Sequence, residues 1–150
     1  MEPTDQFDLD RFVEAQDEGG TFDRALEEIR AGRKTTHWMW FVFPQIKGLG
    51  QSRTARHFAI DSIEEARAYL KHPVLGPRLI EVATTLTGHA GAGAERILGG
   101  IDAMKLKSSM TLFALADPGE PVFGRVLELF YDGRRDERTV ELADTGGPQA

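Results

Sequence analysis

Two short stretches of the chain concentrate the side chains able to hold or transform a ligand. The first runs from Lys34-Thr35-Thr36-His37-Trp38-Met39-Trp40 through Phe43-Pro44-Gln45 and Lys47 to Gly48-Leu49-Gly50-Gln51-Ser52-Arg53. Both tryptophans of the protein lie here, beside basic, amide and hydroxyl groups. Aromatic faces next to Lys, His and Gln suit a planar anion, which would stack on Trp38 or Trp40 and take charge-assisted hydrogen bonds. Gly48 and Gly50 allow a tight turn or a close backbone approach. The competing reading is packing. Trp and Phe bury the most area per residue, so Trp38, Trp40, Phe41 and Phe43 also suit a core.

The second stretch is Gly99-Gly100-Ile101-Asp102-Ala103-Met104-Lys105-Leu106-Lys107-Ser108-Ser109. Read as a helix, it puts Asp102, Lys105 and Ser109 on one face, with Ser108 a neighbour of Lys105. A lysine among hydroxyls binds phosphate or carboxylate as a point charge, or serves as the base for a serine nucleophile. The plainer alternative is an Asp102–Lys105 surface pair with serines packed between helices. Together the two stretches predict a site for a small anion of the nucleotide or ADP-ribose kind. Lys34, Lys47, Arg53 and Lys105 would neutralise it, Trp38 or Trp40 would stack, and Gln45, Ser52, Ser108 and Ser109 would orient it. If the ligand is turned over by hydrolysis or group transfer, His37 and Asp102 are the natural acid/base groups. Imidazole as a side-chain type can give or take a proton at physiological pH, and a carboxylate can accept one.

Other chemistries find no support. The absence of cysteine removes disulfides, thiolate metal sites and thiol nucleophiles. His37, His57, His72 and His89 lack metal-ligand spacing, so no metal is expected. Gly88-x-x-Gly91-x-Gly93 is not the dinucleotide fingerprint, and there is no phosphate-binding Gly-Lys-Ser/Thr loop or Gly-x-Ser-x-Gly elbow. No cofactor is implied. A length of 150 residues predicts one domain, and 41% hydrophobic with 28% charged residues is ordinary for a globular chain. No apolar run approaches the roughly 18–20 residues of a membrane span, and the acidic N-terminus carries no signal-peptide pattern. A cytoplasmic protein without membrane contact is the expectation.

The net charge of −6 is unevenly spread. Between Glu28 and Asp61 no acid occurs, while Arg30, Arg33, Lys34, Lys47, Arg53 and Arg56 do, so this stretch carries +6 and the remainder −12. At most about six phosphate contacts could form, which disfavours nucleic acid as a partner. The stretch suits instead a small anion or, as the alternative function, a non-enzymatic interaction module that docks an acidic protein partner.

These residues need a scaffold, and the periodicity predicts a helical one. Leu9, Phe12, Val13 and Gln16 recur at helical spacing up to Gly19-Gly20. Thr21 is placed to cap a second helix carrying Phe22, Ala25, Leu26 and Ile29, closed at Gly32. Ser62 and Glu65 form a capping-box pattern before Ala66, Tyr69 and Leu70, and His72-Pro73 ends that helix. Leu75, Leu79, Val82, Ala83 and Leu86 mark a longer one. Helices follow over Ile101–Ala116 and around Val122, Phe123, Val126, Leu127 and Phe130, with a short final turn or helix over Thr139–Leu142. Gly88–Gly93 reads as a mobile loop, and the run 38–43 is too short to assign as helix or strand. The prediction is a mainly α, single compact domain over residues 7–143 with about six to eight helices. Residues 1–6 and 144–150 are expected to be flexible.

Several blocks resemble the domain of unknown function 1810 family. They are Phe12-x-x-Ala15-Gln16; His37-Trp38-Met39-Trp40-Phe41-x-Phe43-Pro44-Gln45; Gly48-Leu49-Gly50-x-Ser52; Ala66-x-x-Tyr69-Leu70-x-His72-Pro73-x-Leu75-Gly76-x-Arg78-Leu79; and Asp102-x-x-Lys105-Leu106-x-Ser108-Ser109-Met110-Thr111-Leu112-Phe113, with Asp132-Gly133 and Asp136-x-x-Thr139 beyond. The resemblance covers about residues 7–143. It implies a mainly helical bacterial domain and brings no activity with it. Its blocks coincide with both chemical stretches, and packing does not demand polar residues such as His37, Gln45, Lys105 and Ser108.

Overall fold

The apolar stripes become helices close to where their spacing puts them. In the computed structural model, which describes residues 5–146, the long helices are α1 (Asp10–Asp17), α2 (Thr21–Arg30), α5 (Ile63–Lys71), α6 (Leu75–Thr87), α8 (Gly100–Ala116), α9 (Pro121–Tyr131) and α10 (Glu137–Gly146). Single turns of helix intervene at α3 (Met39–Val42), α4 (Arg53–His57) and α7 (Ala94–Leu98). Among the described residues the only extended pairing is one parallel bridge between Ile46 and Ile60. The chain is mainly α, and the ambiguous run 38–43 is a helical turn rather than a strand.

Local differences have local causes. Thr21 does not cap α2: Gly20, left-handed at φ 69°, holds that position, and the Thr21 hydroxyl donates to the Glu18 carbonyl at 2.6 Å. The last segment is a helix, longer than the short turn or helix expected, because the Asp136 carboxylate accepts the Thr139 N–H at 2.9 Å, which starts it at Glu137. The Gly88–Gly93 segment holds a 3₁₀ turn at Ala90–Ala92. At the N-terminus the Asp5 carboxylate accepts from the Leu9 and Asp10 amides at 2.7 and 2.9 Å, tying down a residue expected to be flexible. At the other end, residues 144–146 of the tail expected to be flexible form the close of α10, while residues 1–4 and 147–150 lie outside the described residues.

α8 is the central helix. From Leu106 to Phe113 it is buried around nearly its whole circumference, and it packs against α5, α7, α9 and α10. A chain of rings crosses the core through Phe12, Tyr69, Phe113 and Phe123, with successive centroids 5.1, 5.3 and 5.8 Å apart. Such pairs add about 0.5–1.5 kcal/mol each beyond their burial. α5 and α6 touch backbone to side at Gly76, where a Cβ would lie 2.1 Å from the Leu70 carbonyl oxygen. Of the capping box at Ser62 the serine half forms, its hydroxyl accepting the Glu65 N–H at 3.2 Å, while the Glu65 carboxylate accepts the N–H of Asp61, one residue before the cap, at 2.9 Å.

The segment from Pro44 to Ile60 has little helix of its own and is held by few bonds. Ile60 N–H donates to the Gln45 carbonyl and Lys47 N–H to the Ile60 carbonyl, both at 2.8 Å. Ser52 caps α4 by accepting the Ala55 N–H at 3.1 Å. Ser52→Ala is expected to cost about 1 kcal/mol, seen in a thermal melt as a loss of roughly 2–4 °C.

Candidate functional site

The site is best built outward from Glu28, the last acid before the acid-free stretch. Its carboxylate is buried and accepts from Thr35 N–H (2.8 Å), Thr36 N–H (3.1 Å), the Thr36 hydroxyl and the indole N–H of Trp38 (2.9 Å). Burial alone would raise its pKa. The hydrogen bonds from Thr36, Thr35 and Trp38 outweigh burial and hold it at about 2. One buried anion thus folds the 35–38 segment, and it sets Trp38, 1% exposed, into the core.

With the segment fixed, Lys34 reaches α8. Its backbone N–H donates to the Ile97 carbonyl at 2.7 Å, and its Nζ lies 2.8 Å from Asp102 Oδ2. Lys105 takes the other oxygen of Asp102 at 3.1 Å and stands over the Trp40 ring, 4.1 Å from its centroid. For Asp102 too, burial would raise the pKa, but the hydrogen bonds from Lys34 and Lys105 hold the carboxyl below its ordinary value. A carboxylate locked between two ammonium groups is a poor proton acceptor near neutrality.

Trp40 stands at the junction of two cavities that share Trp40, Gln45, Leu49 and Gly50 as walls. The inner lobe, about 420 Å³ and the more enclosed, is completed by Ile46, Lys47, Arg56, Phe58 and Asp61 among others. The outer lobe, about 330 Å³, opens between α8 and the start of α10, past Ile101, Met104, Lys105, Ser108, Asp136 and Arg138. Gly50 keeps the junction open, because a Cβ there would fall 2.5 Å from that of Ala55 and 3.1 Å from the Trp40 ring. The cations lining the two lobes are Lys47, Arg56, Lys105 and Arg138, and the acids are Asp61 and Asp136, so the cleft is net positive in a chain of net charge −6.

Two buried glutamines show what is unusual about the cleft. Gln16 is fully used: its amide nitrogen donates to the Phe41 carbonyl (2.8 Å) and the Tyr69 hydroxyl (3.2 Å), and its oxygen accepts from Arg78 at 3.1 Å. Gln45, 7% exposed in the wall shared by both lobes, has a buried Nε2 with no hydrogen-bond partner among the described residues. An unpaired buried amide costs about 1–3 kcal/mol.

The structure brings together Trp40, Gln45, Lys105 and Ser108, with Lys47 exposed at the inner rim and 3.9 Å from Asp61. Lys34, Asp102 and His37 lie beside them on a smaller pocket of about 280 Å³, which Trp40 and Lys105 also line. Other sequence-predicted residues serve elsewhere. Trp38 is core, with its indole N–H committed to Glu28, so it is not the stacking ring. Ser52 is a helix cap. Arg53 is exposed on α4 and lines neither lobe. Ser109 is fully buried one helical step from Ser108, in the part of α8 that is enclosed on nearly all sides; it lines neither lobe, and its hydroxyl, like the Gln45 amide, has no hydrogen-bond partner among the described residues. The basic stretch is no continuous free surface, since Arg30 lies 3.9 Å from Glu81, Lys34 pairs with Asp102 and Lys47 approaches Asp61. The sequence reading missed Glu28, whose signal was its position at the edge of the acid-free stretch, and also Phe58, Ile101, Met104, Asp136 and Arg138. Among the described residues no group of three His, Asp or Glu could hold a metal ion, and no helix is long and apolar enough to cross a membrane.

Fold and cleft define a class: an all-helical domain whose central helix and one irregular loop enclose a two-lobed, cation-rimmed cleft. The chain belongs to the family of proteins of unknown function DUF1810, which it matches over residues 6–143. It is similar to the crystal structure of the conserved hypothetical protein Rv1873 from Mycobacterium tuberculosis, with 49% sequence identity and a TM-score of 0.90, over 93% of this chain and 99% of that one. No curated protein matches it.

Proposed function

We propose that the protein binds a small anionic ligand of the nucleotide or ADP-ribose class in the cleft around Trp40. The observation that carries this reading is the orphaned amide of Gln45: a buried donor at the junction of two lobes lacks a partner that a ligand acceptor would supply. Lys105 and Arg138 provide charge in the outer lobe, and Lys47 and Arg56 at the rim of the inner one. Binding, rather than turnover, is what the geometry favours. Asp102 is held as a carboxylate by two lysines, and His37 is exposed, with no hydrogen bond among the described residues to orient it.

The test is thermal unfolding, followed by circular dichroism, against nucleotides, ADP-ribose, NAD and sugar phosphates. A ligand at 100 times its Kd adds about 2.7 kcal/mol, which for a domain of this length is roughly 5–11 °C. Gln45→Leu separates function from architecture. It removes a buried unpaired amide, so the free protein is expected to melt no lower than wild type, while the ligand-induced shift is lost. A shift that survives Gln45→Leu, or no shift with any of these anions, overturns the reading.

A further inference from the structure

The first turns of α8 carry two large apolar side chains that the fold leaves in water: Ile101 is 74% exposed and Met104 72%. Single exposed apolar residues are ordinary. These two are neighbours at i, i+3 on one helix face, and both line the outer lobe. Leu49, Trp40, Lys105 and Arg138 line the same lobe. Apolar side chains, an ammonium group and a guanidinium group around one lobe, with the unpartnered Gln45 amide buried in its wall, complement a group that is itself part apolar and part anionic.

Resting on the cleft as the binding site, we infer that Ile101 and Met104 are specificity-determining residues that select an anion carrying an aromatic ring over a purely polar one such as a sugar phosphate. The ring lies in the outer lobe along Ile101 and Met104. Its negative group sits beside Lys105 and Arg138, and the Gln45 amide donates to an acceptor between them. Selectivity then comes from apolar area covered in the complex, while the cations serve both kinds of anion alike.

Calorimetric titration of the full chain with AMP and with ribose 5-phosphate, which share a phosphate and differ by the ring, tests this. Wild type is expected to bind AMP at least tenfold more tightly. The double variant Ile101→Gln, Met104→Gln changes only exposed side chains, and its melting temperature reports that it folds. It is expected to lose at least tenfold in AMP affinity and to keep its ribose 5-phosphate affinity. Equal binding of the two probes by wild type, or an equal loss for both in the variant, overturns the ring-selecting role and leaves the anion site standing. Binding of neither probe at millimolar concentration overturns the site and the inference together.

Discussion

Glu28→Ala is expected to lower stability by about 4 kcal/mol, because it strands several buried or half-buried donors at once and each costs about 1–3 kcal/mol. Thr35 N–H, Thr36 N–H and the Trp38 indole N–H all converge on Glu28 Oε1. No other acid lies between Glu28 and Asp61 in sequence to replace it. In a thermal melt the loss reads as roughly 8–16 °C. Glu28→Gln keeps an acceptor oxygen in place and is expected to cost less than half as much. The pH dependence has a definite sign. The carboxyl titrates at about 2 in the folded chain against an ordinary 4.5. Its stabilisation is therefore complete above about pH 4.5, declines as the pH falls below that value, and is gone once the pH has passed about 2. Glu28→Gln should flatten that part of the acid-unfolding profile; an unchanged profile would show that the carboxylate is not the group responsible.

Arg11→Ala is the second large effect, expected at about 3–5 kcal/mol because it leaves the buried Glu65 carboxylate without its partner. The two lie 2.8 Å apart, with Glu65 only 2% exposed. The same guanidinium donates to the carbonyls of Phe7, Asp8, His57 and Ala59 at 2.6–2.8 Å, so one side chain ties the start of α1 to the 57–59 loop. Phe58 and Ala59 line the inner lobe. The variant is therefore expected to loosen the cleft as well as to lower the melting temperature. Adding Glu65→Gln to Arg11→Ala is expected to recover part of the loss, since the stranded charge is then gone. A double variant as unstable as the sum of the singles would place the cost in the backbone contacts instead.

The long helices were legible because each buries a face, and a face writes a 3.6-residue period into the chain; Leu75, Leu79, Val82, Ala83 and Leu86 do so for α6. The short ones were not. α4 buries only Ala55, and α7 follows a glycine-rich turn, so neither has enough apolar positions to show a period. The candidate site was half legible for a similar reason. Residue types named Trp40, Gln45, Lys105 and Ser108, but types do not say which of two tryptophans faces solvent, or which of Ser108 and Ser109 faces the cleft. That depends on a rotation of 100° about α8 and on where Glu28 pulls the preceding loop. Glu28 itself was invisible as a functional residue because two of its donors are backbone amides, which every residue possesses.

The unequal placement of the two indoles gives the molecule a built-in pair of optical reporters. Trp38 is sealed in the core with its N–H on a carboxylate, so its emission follows the integrity of the fold. Trp40 faces the cleft beneath an ammonium group, so its emission and its access to soluble quenchers follow what lies beside it. Replacing one or the other by Phe separates the two signals, and occupancy and unfolding become readable independently in the same cuvette.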